Sequence, residues 1–336
     1  MEEKDYFEFI QVAMGNRMAL SVSISDADWH RLFDFCNRQA LMGVGFVALE
    51  RLHAMGVVCP AELRLQWREL ALQVEKQNVL LNEQCRQLCE QYEHDGLQCC
   101  ILNGQGNTLN YPEELRMRRQ CGGIDVWAIP LKDIAIAVQT GKHEVEYVAY
   151  QGRRAVIEYV KMQHRLAGNE APKMVGTEVE VHYRAASLYS PWRNWRLQRW
   201  FKEQFDVCHQ NKCLLGFPVL TSSVNVVYQL VHLYRHVIEG GMGLRQLMDG
   251  YYALKVWHHD VMECRDLQSQ GMWSEGLGTP VLSKTEVMSV IRSFGMTQFT
   301  AAVMYVLHKV FDMSSHYYIC DPNEKEGKKL LQSFTL

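Results

Sequence analysis

From the first residue to about 95, apolar side chains recur at intervals of three and four, the spacing of one face of an α-helix. In "SISDADWHRLFDFCNRQAL" the stripe is Trp29, Leu32, Phe33 and Cys36, and Ser25 or Asp26 stands where an N-cap belongs. Pro60 opens "PAELRLQWRELALQVEKQNVLLNEQCRQLCEQYEHDG", which predicts one long helix with proline at an early position and a stop at Gly96. Beyond Gly96 the period shortens. The pattern predicts a strand in "LQCCILNG", a turn and helix through "NTLNYPEELRMRR", a strand in "GGIDVWAI", a helix in "LKDIAIAVQTG", another at about 152–165 and a strand in "TEVEVHYR". In this last strand, alternation places Glu178, Glu180 and His182 on one face and Thr177, Val179, Val181 and Tyr183 on the other. After Pro191 the pattern is helical again, through "NWRLQRWFKEQ", "SVNVVYQLVHLYRHVIE", "LRQLMDGYYALKVW", "KTEVMSVIRSFG" and "TQFTAAVMYVLHKVF". The expectation is a mixed fold, between α+β and α/β. A helical region spans residues 1–95, a small sheet core 96–190, and a helical bundle 191–336.

Composition narrows the setting. With 336 residues, 48% of them hydrophobic, the chain can fill two or three packed units. A formal charge of -3 argues against a dedicated nucleic-acid binder, leaving room only for a local basic patch. Eleven cysteines, an odd number that includes the adjacent Cys99 and Cys100, show no secreted-framework spacing and read as reduced thiols of a cytoplasmic protein. The acidic start "MEEKDYFEFI" is unlike a targeting segment, and no apolar run approaches the ~20 residues that span a bilayer.

The candidate chemistry centres on "RQCGGIDVWAIP". Side chains two apart on a strand share a face, so an Asp-x-Asp pair would aim two carboxylates at one metal cluster, but here position 123 is glycine and only Asp125 remains. "NGQGN" could bring backbone N–H groups to a phosphate through Gly104 and Gly106. The third glycine of a dinucleotide fingerprint is Leu109, so that fingerprint is not met. His232 and His236 are spaced i, i+4, but Leu233 stands where a metalloprotease needs Glu, so they read as hydrogen-bonded histidines at a junction. "PWRNWRLQRWFK" mixes arginines and tryptophans and reads as a solvated amphipathic helix.

"LNGQGNTLNYP", "RQCGGIDVWAI", "VEVHYR", "NWRLQRWF", "NVVYQLVHLYRHVIEGGMGLRQLMD" and "FTAAVMYVL" together resemble the uncharacterised nucleotidyltransferase family, of the DNA polymerase beta-like superfamily. The resemblance implies two neighbouring strands whose carboxylates grip Mg2+, and a glycine turn cradling the triphosphate of an NTP. On this chain the metal-binding and catalytic carboxylates would be Asp125 and Glu180, with Glu178 as the register alternative. Gly104, Gln105, Gly106, Arg119, Gly122 and Arg245 would face the nucleotide, with Arg245 and Gln246 supporting the cleft from the bundle side.

Three departures stand out: Gly123 replaces the first metal-binding Asp, Asn103 replaces a Lys before the first glycine, and the chain stops at "EKEGKKLLQSFTL", where relatives continue. The implied protein is catalytically impaired and binds a nucleotide, a nucleotide-linked small molecule or a protein partner. The alternative is an active Mg-dependent enzyme moving a nucleoside monophosphate from an NTP to a hydroxyl acceptor. Three further expectations follow. Asp125 and Glu180 should approach within about 6 Å, the span one bridging ion allows. Like-charge repulsion should raise the proton affinity of one of them unless Arg119 or Arg245 compensates. Restoring Asp at 123 and Lys at 103 should rebuild metal-dependent binding.

Overall fold

Ser25 does cap the helix that follows it. Its hydroxyl accepts from the Asp28 amide while the Asp28 carboxylate accepts from the Ser25 amide, a reciprocal box that fixes the start of the second helix. The computed structural model describes residues 1–139, 145–166, 177–269 and 281–333. Four helices open the chain: α1 (Glu3–Met14), α2 (Asp26–Arg38), α3 (Met42–Ala54) and α4 (Ala61–His94). The last begins directly after Pro60 and ends before Gly96, whose φ of +86° releases the chain into β1 (Leu97–Ile101).

Between β1 and the next strand lie two single turns, α5 (Gln105–Thr108) and α6 (Glu113–Arg116), where the sequence suggested one helix. Pro112 accounts for the break, since it lacks an N–H and disfavours helical geometry in Tyr111 before it. β2 (Ile124–Pro130) pairs antiparallel with β1. A larger correction follows it. The segment expected as the helix "LKDIAIAVQTG" forms β3 (Ile134–Gln139), which pairs antiparallel with β4 (Val145–Tyr150) as a separate two-stranded sheet. Ile134, Ile136 and Val138 recur with period two, and the strand-prone "VEYVAY" supplies the partner that overrides the helical reading. α7 (Gly152–Leu166) follows as expected, and β5 (Val179–His182) adds to β2 in parallel, giving the order β1-β2-β5.

The remaining helices are α8 (Pro191–Gln210), α9 (Ser222–Glu239), α10 (Leu244–Ser269), α11 (Lys284–Ser293), α12 (Thr297–Phe311) and α13 (Glu324–Gln332). None of the described helices is long and apolar enough to cross a membrane.

The pleat of the three-stranded sheet divides the interior in two. Leu97, Cys99, Ile101, Ile124, Val126 and Ala128 join a smaller core with the second half of α4 and with α7. Cys100 and Trp127, on the opposite face, enter the larger helical core. There Trp127 meets Phe201 and Phe205 of α8 edge-on, with ring centroids 5.7 and 4.7 Å away. Helices from both ends of the chain share this larger core. Gln11 donates to the Val310 carbonyl at 3.1 Å and Asn16 to the Phe311 carbonyl at 2.6 Å, tying α1 to the end of α12.

Candidate functional site

The parallel ladder between β2 and β5 sets Asp125 opposite Glu180 and Trp127 opposite His182. Because side chains alternate along both strands, these four residues share the face that looks toward the helical bundle. The ladder opens with the Ile124 amide donating to the Glu178 carbonyl at 2.8 Å, and this bond draws the backbone of Gly123 tightly against β5. A Cβ at position 123 would lie 2.4 Å from that carbonyl oxygen, closer than real Cβ atoms approach. Gly123 is therefore required by packing, whereas a Cβ at Gly122 would meet nothing within 4 Å.

Asp125, Glu180 and His182 each offer one ligand atom, and the three atoms lie within 4.8 Å of one another. His182 Nε2 stands 3.3 Å from Asp125 Oδ1 and 3.7 Å from Glu180 Oε2. Side-chain exposure rises outward, from 27% at Asp125 to 61% at Glu180, as expected for β5 at the sheet edge. Burial works against the charge of Asp125, but its hydrogen bond to His182, the field of His182 and a bond from Asn103 hold its carboxyl below the usual carboxylate pKa. The opposing influence is burial and not carboxylate repulsion, and His182 supplies the largest compensation. Neither Arg119 nor Arg245 supplies this compensation: Arg119 is committed to Asp249, and Arg245 forms no ion pair with Asp125.

A cleft of about 270 Å3 opens above these strands, walled by β2, β5, the Asn103 turn, α9 and α10. Asn103 is buried in an amide network. Its Nδ2 donates to Tyr228 Oη at 3.0 Å, and its Oδ1 accepts from Asn107 at 3.2 Å and Gln229 at 3.3 Å, while Asn225 donates to Asn107 at 3.0 Å. From α9, His232 and His236 face each other with Nε2 atoms 3.0 Å apart. Burial and the field of His236 push the pKa of His232 down to about 4, so it stays neutral at pH 7.

From α10, Asp249 receives the Arg119 guanidinium through two bonds of 2.7 and 2.6 Å and the Tyr111 hydroxyl at 2.6 Å. Burial opposes the charge on Arg119, yet Asp249 holds its pKa well above the ordinary guanidinium value. Arg245 is different. It donates once, from Nη1 to the Gln120 carbonyl at 3.0 Å, while its buried Nε has no acceptor and no carboxylate lies within ion-pair distance among the described residues.

Of the residues singled out from the sequence, Asp125, Glu180, Gly104, Gly122, Arg119 and Arg245 all line the cleft, together with Gln246. Gln105 and Gly106 do not. Gln105 turns toward α4, donating to the Asn78 carbonyl at 3.1 Å and to Asn82 Oδ1 at 2.5 Å, and Gly106 backs onto the Ile101 carbonyl. The helix after Gly104 is one turn long, so its dipole has little length to build on at a phosphate. Glu178 contributes its carbonyl to the ladder and lies outside the carboxylate cluster. Sequence reasoning gave no ligand role to His182, although alternation had placed it on the face of Glu180.

The sequence model of a family described as "uncharacterised nucleotidyltransferase" matches residues 25–271, a span that holds every residue lining the cleft. No curated protein and no solved structure matches the chain.

Proposed function

We propose, from the premise that the chain belongs to the uncharacterised nucleotidyltransferase family, that its cleft binds the phosphates of a nucleotide or nucleotide-linked molecule and does not turn it over. The observation that carries this reading is the contact at position 123. The carboxylate that would pair with Asp125 is absent, and the backbone has closed over its place, so that a Cβ would lie 2.4 Å from the Glu178 carbonyl. In-line displacement at a phosphorus draws on two metal ions about 3.5–4 Å apart, each needing hard oxygen ligands. Asp125 and Glu180 remain for that purpose. Asp249, the other carboxylate of the cleft, has both oxygens committed to Arg119.

Binding is supported by the cation side of the cleft. Arg245 sits in the first turn of α10 with a buried Nε that is unpaired among the described residues, an arrangement that suits an anionic oxygen better than an empty apolar pocket. The donor set of Asp125, Glu180 and His182 fits one divalent ion, which when bound would neutralise phosphate charge. The two carboxylates would hold it, His182 would orient or join them, and Arg245 would hold the far phosphate.

Calorimetric titration with each NTP, paired with a pyrophosphate-release assay over small hydroxyl acceptors, tests the reading. The expected outcome is saturable binding without pyrophosphate release, weakened about 10–100-fold by Arg245→Ala, the loss of a charge-assisted phosphate contact. Sustained pyrophosphate release would favour an active enzyme working with Asp125 and Glu180, and absence of binding would remove the nucleotide from the account.

A further inference from the structure

The geometry points to a single divalent ion of the Co2+ and Zn2+ class, ligated by Asp125, Glu180 and His182 Nε2, in place of a pair of Mg2+ ions; its role toward phosphate rests on the nucleotide reading above. The first argument is spacing. Ligands about 2.0–2.1 Å from a tetrahedral ion are roughly 3.4 Å apart. His182 Nε2 is 3.3 Å from the Asp125 oxygen and 3.7 Å from the Glu180 oxygen, so closing the set around an ion needs only side-chain adjustment.

The second argument is donor type. Imidazole suits zinc, cobalt and nickel, whereas Mg2+ prefers oxygen in near-ideal octahedra and keeps several waters. The third is number. Another ion would need a further carboxylate on the bundle-side face, and the strand position two before Asp125 is the packed Gly123. An independent feature of the same cleft points to an anion opposite the ion: the buried Nε of Arg245 lacks an acceptor among the described residues. One ion and one guanidinium would then share the charge of a bound phosphate.

Titration of the metal-free full chain with Co2+, with Mg2+ in parallel, tests the assignment by calorimetry and by the visible absorption of bound Co2+. A second described cluster, His259, Asp260 and Glu263 on α10, provides the control. The expected result is a Co2+ site at least about 100-fold tighter than Mg2+, as imidazole ligation implies. His182→Gln and Asp125→Asn should each weaken it at least about 10-fold, while His259→Gln leaves it unchanged; outer-shell partners alone are worth about 10–100-fold. Circular dichroism of each variant separates lost binding from lost folding, and His182, 31% exposed, tolerates substitution more readily than a core residue.

Equal affinity for Mg2+, indifference to His182→Gln, loss of the site in His259→Gln, or no binding at all would each overturn the assignment. NTP binding measured on the same proteins keeps the two readings apart. Nucleotide affinity that survives while Co2+ ignores His182 defeats this inference alone, and a His182-dependent Co2+ site without nucleotide affinity defeats only the proposed function.

Discussion

Asp249 and Arg119 are each 4% exposed at the side chain, and a charge so placed is tolerable only because its partner neutralises it through two short bonds. Removing one leaves the other buried and unpaired. Asp249→Leu or Arg119→Met should therefore cost about 3–5 kcal/mol in urea unfolding, while the double variant carrying both changes should cost less than the sum of the two. Additive losses would show that the pair is not coupled. His232 makes a different prediction. Its folded pKa of about 4 lies below the ordinary value near 6.5, so between those values the unfolded chain binds the extra proton. The His232 contribution is thus fully present above pH 6.5 and is lost as pH falls toward 4, by on the order of 2–3 kcal/mol. His232→Asn should flatten that part of the stability profile, and parallel profiles for the two proteins would contradict it. Neither role is legible from composition. The sequence suggests Arg119 as a counter-charge for Asp125, and only the fold reveals that its planar fork meets both oxygens of a carboxylate 130 positions away.

At the scale of elements, the decisive contact joins the start of β2 to the residue before β5. The alternation in "GGIDVWAI" and "VEVHYR" made both strands legible and put Asp125, Glu180 and His182 on the right faces, because period two survives in short half-buried strands. The approach of Asp125 to Glu180 was legible, but the close packing at Gly123 was not, since a glycine in a sequence says nothing of which backbone presses against it. The expectation that Asp at 123 and Lys at 103 would restore binding reverses here. A side chain at 123 collides with the Glu178 carbonyl, and a lysine at 103 removes the oxygen that serves Asn107 and Gln229. Gly123→Asp should destabilise the protein by about 1–3 kcal/mol or more, as overpacking does, without gain in metal affinity. Gly122→Ala, facing open space, should stay within about 0.5 kcal/mol of the parent. Thermal melts of the two variants check this, and a stable Gly123→Asp protein with stronger metal binding would sink it. The strands β3 and β4 were missed for a related reason: alanine between β-branched residues fits a helix or a strand, and only pairing decides.

In the whole molecule, the two apolar cores are joined by α4. Leu63, Trp67 and Ala71 lie in the larger core and Leu81, Cys85 and Tyr92 of the same helix lie in the smaller. The helical regions that are distant in sequence also share the larger core, which no local pattern could reveal because periodicity reports faces and not partners. Calorimetry should therefore record a single cooperative transition, with calorimetric and van't Hoff enthalpies in agreement; two separated transitions would mean that the sheet core melts independently. The cleft stands where the cores meet, between the strand face that carries Asp125, Glu180 and His182 and the start of α10, which carries Arg245. The most direct test is anomalous diffraction from crystals grown with Co2+ and a non-hydrolysable NTP analogue. The expected map has one anomalous peak among Asp125, Glu180 and His182, with the triphosphate reaching toward Arg245. Two peaks about 3.5–4 Å apart would establish the paired-ion arrangement of an active transferase and contradict the account.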